Sequence, residues 1–243
     1  MYVKSEALIL SVNKHRDNSM IIQVFSSEYG RASFMVYGAY ANRNKKTFAS
    51  VLHPFSLVEI DADIKPNRDL HVIKDIKALI PMNGILFDPM KSTIALFLSE
   101  VLLSSLKALD ADKTLFLFLK ESVLVLDRME RGIANFHIAF LLNLTNFLGV
   151  YPNLSEETTS GYFDMRQAEF SLYRPYHSQY IDSVHCKALQ LFSRMNYRNL
   201  HLFRFSQNER REALDRIIEY YKIHLHGFGE IISLSVLKSV FEE

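Results

Sequence analysis

A single cysteine, Cys186, in 243 residues excludes an intramolecular disulfide and any multi-cysteine metal site. Glycine is also scarce. None of the eight glycines forms G-x-G-x-x-G or a glycine-rich loop ahead of Lys-Ser/Thr, so the phosphate cradles of dinucleotide and ATP sites are missing. No serine stands in a G-x-S-x-G setting, and His71, His137, His201, His224 and His226 are scattered. A lone histidine on an apolar helix face, such as His137, reads as a core residue. Asp61 and Asp63 alternate on one strand. They read as a solvent face, and a metal-dependent hydrolase would need carboxylates clustered with a histidine. An enzyme is therefore not expected.

Long apolar runs are missing too. The most apolar stretch, Ile94 to Leu109, is interrupted by Glu100, Lys107 and three serines, which suits a buried helix and not a membrane span. The first residues, MYVKSEALIL, lack the apolar core and cleavage site of a signal peptide, so a cytoplasmic protein is expected. Charge of one sign is nearly absent overall, at a net +1. Any argument for an acidic partner such as nucleic acid must come from local asymmetry. Residues 1–80 carry 11 Lys and Arg against 8 Asp and Glu, whereas residues 81–243 carry 17 against 19.

The asymmetry is concentrated in one stretch. No acidic residue lies between Glu28 and Glu59, while Arg31, Arg43, Lys45 and Lys46 fall in that window, interleaved with Tyr37, Tyr40 and Phe48. Cations that meet phosphates beside flat rings that stack on bases are what a single-strand nucleic-acid surface requires. Lys14 and Arg16 in an earlier loop, and Lys65 and Arg68 in a later turn, extend the candidate set. A solvated hairpin with ordinary surface lysines is the plainer alternative.

Runs at 7–12, 19–25, 31–40, 51–64 and 70–79 are rich in β-branched and aromatic residues. Gly30 stands where a hairpin turn needs a residue free to adopt positive φ. Five short strands without a strong helix between them suit a small closed barrel, either an OB-fold or an SH3-like barrel. Pro81, Gly84 and Asp88-Pro89 mark a boundary, with Asp88 as N-cap and Pro89 at the first helical position. Three- and four-residue apolar spacing then predicts helices from Ile94, over Lys113 to Arg131, over Ile133 to Phe147 and over Asp182 to Met195. Ser206-Gln207-Asn208-Glu209 reads as a capping box opening a long helix, broken at Gly227 and Gly229, with a short closing helix over Glu230 to Phe241. The expected class is α+β: a barrel over residues 1–80 and an all-α domain over 81–243, with an irregular lobe at about 153–180.

The N-terminal segment resembles RecO, the family of bacterial recombination mediators. The likeness rests on Glu6-Ala7-Leu8-Ile9-Leu10, a polar turn, a hydrophobic strand, Glu28-Tyr29-Gly30-Arg31 and the strand closing at Val36-Tyr37-Gly38-Ala39, and it continues more faintly to the C-terminus. The resemblance implies that the barrel is an OB-fold. It also implies a nucleoid-associated protein that binds single- and double-stranded DNA and anneals complementary strands without ATP. Such a protein binds the acidic tail of single-stranded DNA-binding protein and, with RecR, helps load RecA. DNA contacts would then fall to Lys14, Arg16, Arg31, Tyr37, Tyr40, Arg43, Lys45, Lys46, Phe48, Lys65 and Arg68. Lys120, Arg128 and Arg131, with Phe136 or Phe140 lining a notch, would receive the tail. Many members carry a four-cysteine zinc site in the helical domain. Here the matching frame, Pro152 to Gly161, has Glu157 and Ser160 where the first two cysteines would stand. No metal or cofactor is therefore expected, and the lobe must be held by packing through Tyr162, Phe163, Phe170 and Tyr173. The functional alternative is a protein-interaction adaptor whose barrel does not bind DNA.

Overall fold

The computed structural model describes residues 2–16, 18–37, 51–64, 68–106, 111–154 and 161–241. The chain divides into two compact units, Met1–Arg128 with Ile231–Leu237, and Met129–Glu230 with Lys238–Glu243.

The first unit opens with β1 (Tyr2–His15), β2 (Ser19–Ser26), β3 (Gly30–Tyr37), β4 (Leu57–Asp63) and β5 (Leu70–Ala78). They close into a barrel of order β1-β2-β3-β5-β4. Every neighbouring pair is antiparallel except β3 and β5. This is the Greek-key topology of an OB-fold, as expected. Gly30 takes φ 68° where the β2–β3 turn enters β3, a value that a Cβ would oppose.

Period-two patterning fills the interior with Ile9, Ile22, Val24, Phe34, Val36, Val58, Ile60 and Ile76. The outer face should by the same rule be wet, yet Leu8 and its cross-strand partner Phe25 are fully buried. The helix over Pro89–Ser105 packs against β1. Each such side chain contributes about 1.5–3 kcal/mol by leaving water.

The helices of this unit are α1 (Asn83–Phe87), α2 (Pro89–Ser105) and α3 (Lys113–Arg128). Asp88 caps α2 as expected, accepting from the Met90 and Lys91 amides at 2.9 and 3.1 Å. The buried Lys91 ammonium donates to the Asp127 carbonyl at 2.8 Å. Gly84 lies against the same carbonyl so closely that a Cβ would come within 1.9 Å of its oxygen. The one carboxylate in the apolar stretch, Glu100, has a defined task. It accepts from the Ile232 and Ser233 amides, both at 2.8 Å, and so anchors the start of α7 (Ser233–Val240) with the favourable charge for a helix N-terminus.

The second unit holds α4 (Ile133–Phe147), α5 (Ser183–Ser193), a 3₁₀ turn at Leu200–Leu202 and α6 (Gln207–His224). Asp182 caps α5 through the Val184 and His185 amides, and the capping box at Ser206 and Glu209 is complete. The fully buried Tyr221 donates to the Leu141 carbonyl at 2.8 Å, and Tyr220 donates to Val150 at 2.9 Å. These bonds tie α6 to α4 and to the chain after it. His137 is buried in α4 beside the Phe241 ring. Burial, reinforced by Arg210, pushes it down to about 3.

The lobe expected to be irregular contains a small sheet, β7-β6-β8, formed by β6 (Tyr162–Asp164), β7 (Glu169–Ser171) and β8 (Tyr180–Ile181). Phe163 and Phe170 meet edge to face at 5.2 Å within a core of Leu154, Met165, Ile181, Cys186 and Tyr220. Tyr162 packs edge-on against Tyr180 at 5.5 Å. Tyr173 does not join this packing and is 83% exposed. Asp164 closes the hairpin, accepting from the Arg166 and Gln167 amides at 2.8 and 3.1 Å and meeting His177 at 3.1 Å. Desolvation works to raise the Asp164 carboxyl, but these hydrogen bonds outweigh it and hold the group below its ordinary value. Glu157 and Ser160 lie outside the described residues. Among the described residues no group of three or more His, Cys, Asp or Glu is placed to hold a metal ion, and no helix is long and apolar enough to cross a membrane.

Candidate nucleic-acid interface

The ladder registers decide which candidates meet. His15, Ser19 and Tyr37 lie side by side across β1, β2 and β3, and so do Lys14, Met20 and Val36. The β1–β2 turn and the end of β3 therefore share one end of the ribbon. The turn is closed by the Ser19 hydroxyl, which donates to the His15 carbonyl, and Arg16 supplies the positive φ of 56° that the reversal needs. Lys14 and Arg16 are exposed, and the Tyr37 ring is 64% exposed. A large flat ring and two cations are thus presented to water at this end of the barrel.

The surface continues onto β5. Its first residues pair in parallel with β3, Leu70 with Ser33 and Val72 with Met35. Leu70 and Val72 share the outer face with Tyr37 and are 36% and 42% exposed. Arg68 and Asp69, both exposed, precede them. From Leu70, opposite Ser33, to Tyr37 is about 13 Å along a strand, a span that a short single-stranded segment crosses. Leu70 and Val72 were not among the sequence candidates. Their alternation with Ile73, which faces the barrel interior, is the signal that pointed to them.

Arg31 is placed differently. Its guanidinium donates to the Leu103 carbonyl of α2 at 2.9 Å and to Gln23 Oε1 on β2 at 2.8 Å, and burial lowers its pKa. It ties the barrel to its helix. Tyr40, Arg43, Lys45, Lys46, Phe48 and Lys65 lie outside the described residues.

The outer face of β4 has the reverse character, and it runs up to the rim, because Asp63 pairs with Val72. Along β4 the outward residues are Glu59, Asp61 and Asp63, whose cross-strand neighbours include Glu6 on β1 and Asp75 on β5. The lysines on this side are already matched. Lys4 pairs with Glu59 at 2.9 Å, Lys77 with Asp75 at 3.0 Å, and Lys120 with Glu6 at 2.6 Å. The hydrogen bond that Lys77 donates to Asp75, followed by that carboxylate's charge, raises the Lys77 pKa. A phosphate backbone approaching here meets net negative charge.

The tail-binding candidates do not form the expected notch. Phe136 and Phe140 are both fully buried; Phe136 stacks on Phe140 at 6.3 Å and on Tyr197 at 5.1 Å. They are core residues because α4 is apolar around most of its circumference. Lys120 is held by Glu6. Arg128 and Arg131 are exposed and belong to different units.

Comparison with known proteins adds a family to this geometry. Residues 1–82 match the model described as Recombination protein O N terminal, and residues 86–229 match Recombination protein O C terminal. The chain is 41% identical over 244 residues to the DNA repair protein RecO of Bacteroides fragilis strain ATCC 25285, with all of both chains covered. It is 36% identical over 242 residues to that of Azobacteroides pseudotrichonymphae, again with full coverage of both. Against the protein of Flavobacterium psychrophilum the identity is 32% over 244 residues, covering 99% of this chain and all of the relative. An OB barrel, a helical region and full-length similarity at these levels together place the chain in the RecO family of DNA repair proteins.

Proposed function

We propose that this chain acts as a recombination mediator that binds DNA along the rim formed by the β1–β2 turn, the end of β3 and the start of β5. There it anneals complementary single strands without ATP. The observation that carries the reading is the division of charge on the barrel. Lys14, Arg16, Tyr37 and Arg68 lie on or beside the rim, while β4 carries Glu59, Asp61 and Asp63 among lysines that are already paired. Arg43, Lys45 and Lys46 follow Tyr37 closely in the chain and remain candidate contacts on the strength of the sequence. Cations neutralise phosphates sequence-independently and the ring stacks on any base, so two backbones are held close with their repulsion reduced and pairing proceeds without fuel. No chemical step is assigned to the protein itself. Family membership suggests the acidic tail of single-stranded DNA-binding protein and RecR as partners, with RecA loading as the outcome.

The test is fluorescence anisotropy of a labelled single strand across a salt series, comparing the native protein with a variant carrying alanine at Arg43, Lys45 and Lys46. Salt-sensitive binding that weakens in the variant, with a slope lower by about 0.7 for each lost phosphate contact, supports the reading. Absence of binding at low salt overturns it and leaves an adaptor acting through protein contacts alone.

A further inference from the structure

The second unit contains a cleft of about 530 Å³ between the small sheet, α5 and α6. This volume is in the range of sites that enclose a ligand side chain or small molecule. Its walls are apolar, with Ile181, Leu189, Phe192 and Ile217 among them. Its mouth is acidic. Asp182, Glu209, Glu212 and Asp215 line it against one guanidinium, Arg216. The acids come from two built elements. Asp182 is the N-cap of α5, and Glu209, Glu212 and Asp215 follow one another at three-residue steps along α6. His185 bridges the two rows, 2.7 Å from Asp182 Oδ1 and 3.1 Å from Glu212 Oε2.

Two of these acids are set to remain ionised. Desolvation raises Asp182, but hydrogen bonds from His185 and Val184 outweigh it and hold the carboxyl below its ordinary value. Ser206 does the same for Glu209 through hydrogen bonds that complete the capping box. Part of the charge is compensated, since Lys238 pairs with Asp215 and Arg216 with Glu219. The balance at the mouth stays negative.

We propose that this cleft is a docking site for a partner protein's basic segment that inserts an apolar side chain between α5 and α6, its lysines or arginines lying over Asp182, Glu209 and Glu212. The charge of the mouth selects the occupant. An anionic strand or an acidic peptide is repelled there, while an apolar anchor gains the buried floor. The site belongs to a different unit from the DNA rim and does not depend on it.

The test uses the full chain and a short labelled peptide of lysines alternating with leucine and phenylalanine, with a control in which glutamate replaces every lysine. The basic peptide is expected to bind and the acidic one to bind at least about tenfold more weakly. Ala213→Trp, which fills the cleft, and Glu212→Lys, at its exposed mouth, are each expected to weaken the basic peptide by about tenfold. Thermal unfolding and single-strand affinity should be unchanged, the latter separating failure of this site from failure of the DNA rim. Equal binding of the two peptides, or undiminished binding by both variants, overturns the proposal. So does concentration-dependent self-association that Ala213→Trp abolishes, because a second copy of this chain would then be the occupant.

Discussion

The rim at the end of β3 and the outer side of β4 belong to one barrel, yet they treat charge in opposite ways. Beside β4, lysines of β1 and β5 stand next to carboxylates and are used up. Lys4 is bound to Glu59 and Lys77 to Asp75. At the rim the ladder neighbours of Lys14 and Tyr37 are Met20, Ser19 and Val36, none of which is acidic. A count of basic residues does not distinguish the two sides, whereas the register does. Carboxylates line β4 while cations gather at the rim, so the barrel half's small net charge is compatible with a polarised surface.

Charge reversal at the rim should break this comparison most severely. Lys14→Glu with Arg16→Glu is expected to weaken single-strand binding by one to two orders of magnitude and to lower the salt slope by about 1.4, two contacts at about 0.7 each. Anisotropy titrations at several salt concentrations read both quantities. Arg31→Ala separates structure from binding. Losing the bonds to Leu103 and Gln23 should lower stability by about 1–3 kcal/mol in denaturant unfolding, with the salt slope retained. Tyr37→Ala should remove about 1–3 kcal/mol of stacking and leave the slope unchanged, the inverse of the charge reversal. The smallest effect is expected on β4. Asp61→Asn with Asp63→Asn should raise single-strand affinity by about two- to threefold at low salt, a gain that vanishes once the Debye length falls to about 3 Å near 1 M.

What was legible beforehand follows from the range of the forces involved. Asp88, Asp182 and Ser206 with Glu209 cap helices through bonds that span two or three residues, so a local pattern suffices to find them. The barrel strands repeat every two residues and could be read in the same way. Leu8 and Phe25 could not be assigned a buried outer face, because the helix that covers β1 is distant in sequence. Arg31 looked like a free cation for the same reason, its acceptor Leu103 lying 72 residues away. The sheet of the second unit escaped notice because strands of two and three residues are too short to show a period. Phe136 and Phe140 were read as the lining of a notch, whereas α4 is packed on nearly every side. The acidic cleft depends on bringing α5 beside α6, which no spacing within either helix announces.

Gly84 shows how closely the first unit is fitted. Gly84→Ala would drive a Cβ to 1.9 Å from the Asp127 carbonyl oxygen, a backbone contact that has to shift. A loss of about 1–3 kcal/mol is expected in thermal or denaturant unfolding, without a change in salt slope.

The central claim is that the barrel binds DNA through the rim at the end of β3 and not through its β4 side. It is tested most directly by one matched pair of variants, Lys14→Ala with Arg16→Ala against Lys4→Ala with Lys77→Ala, titrated with the same labelled single strand over a salt series. Each variant removes two positive charges from the same barrel, so the change in net charge is identical. The account predicts that the rim variant loses affinity and about 1.4 of the salt slope, while the β4 variant keeps both. Equal losses in the two variants, or a loss confined to the β4 variant, would contradict it.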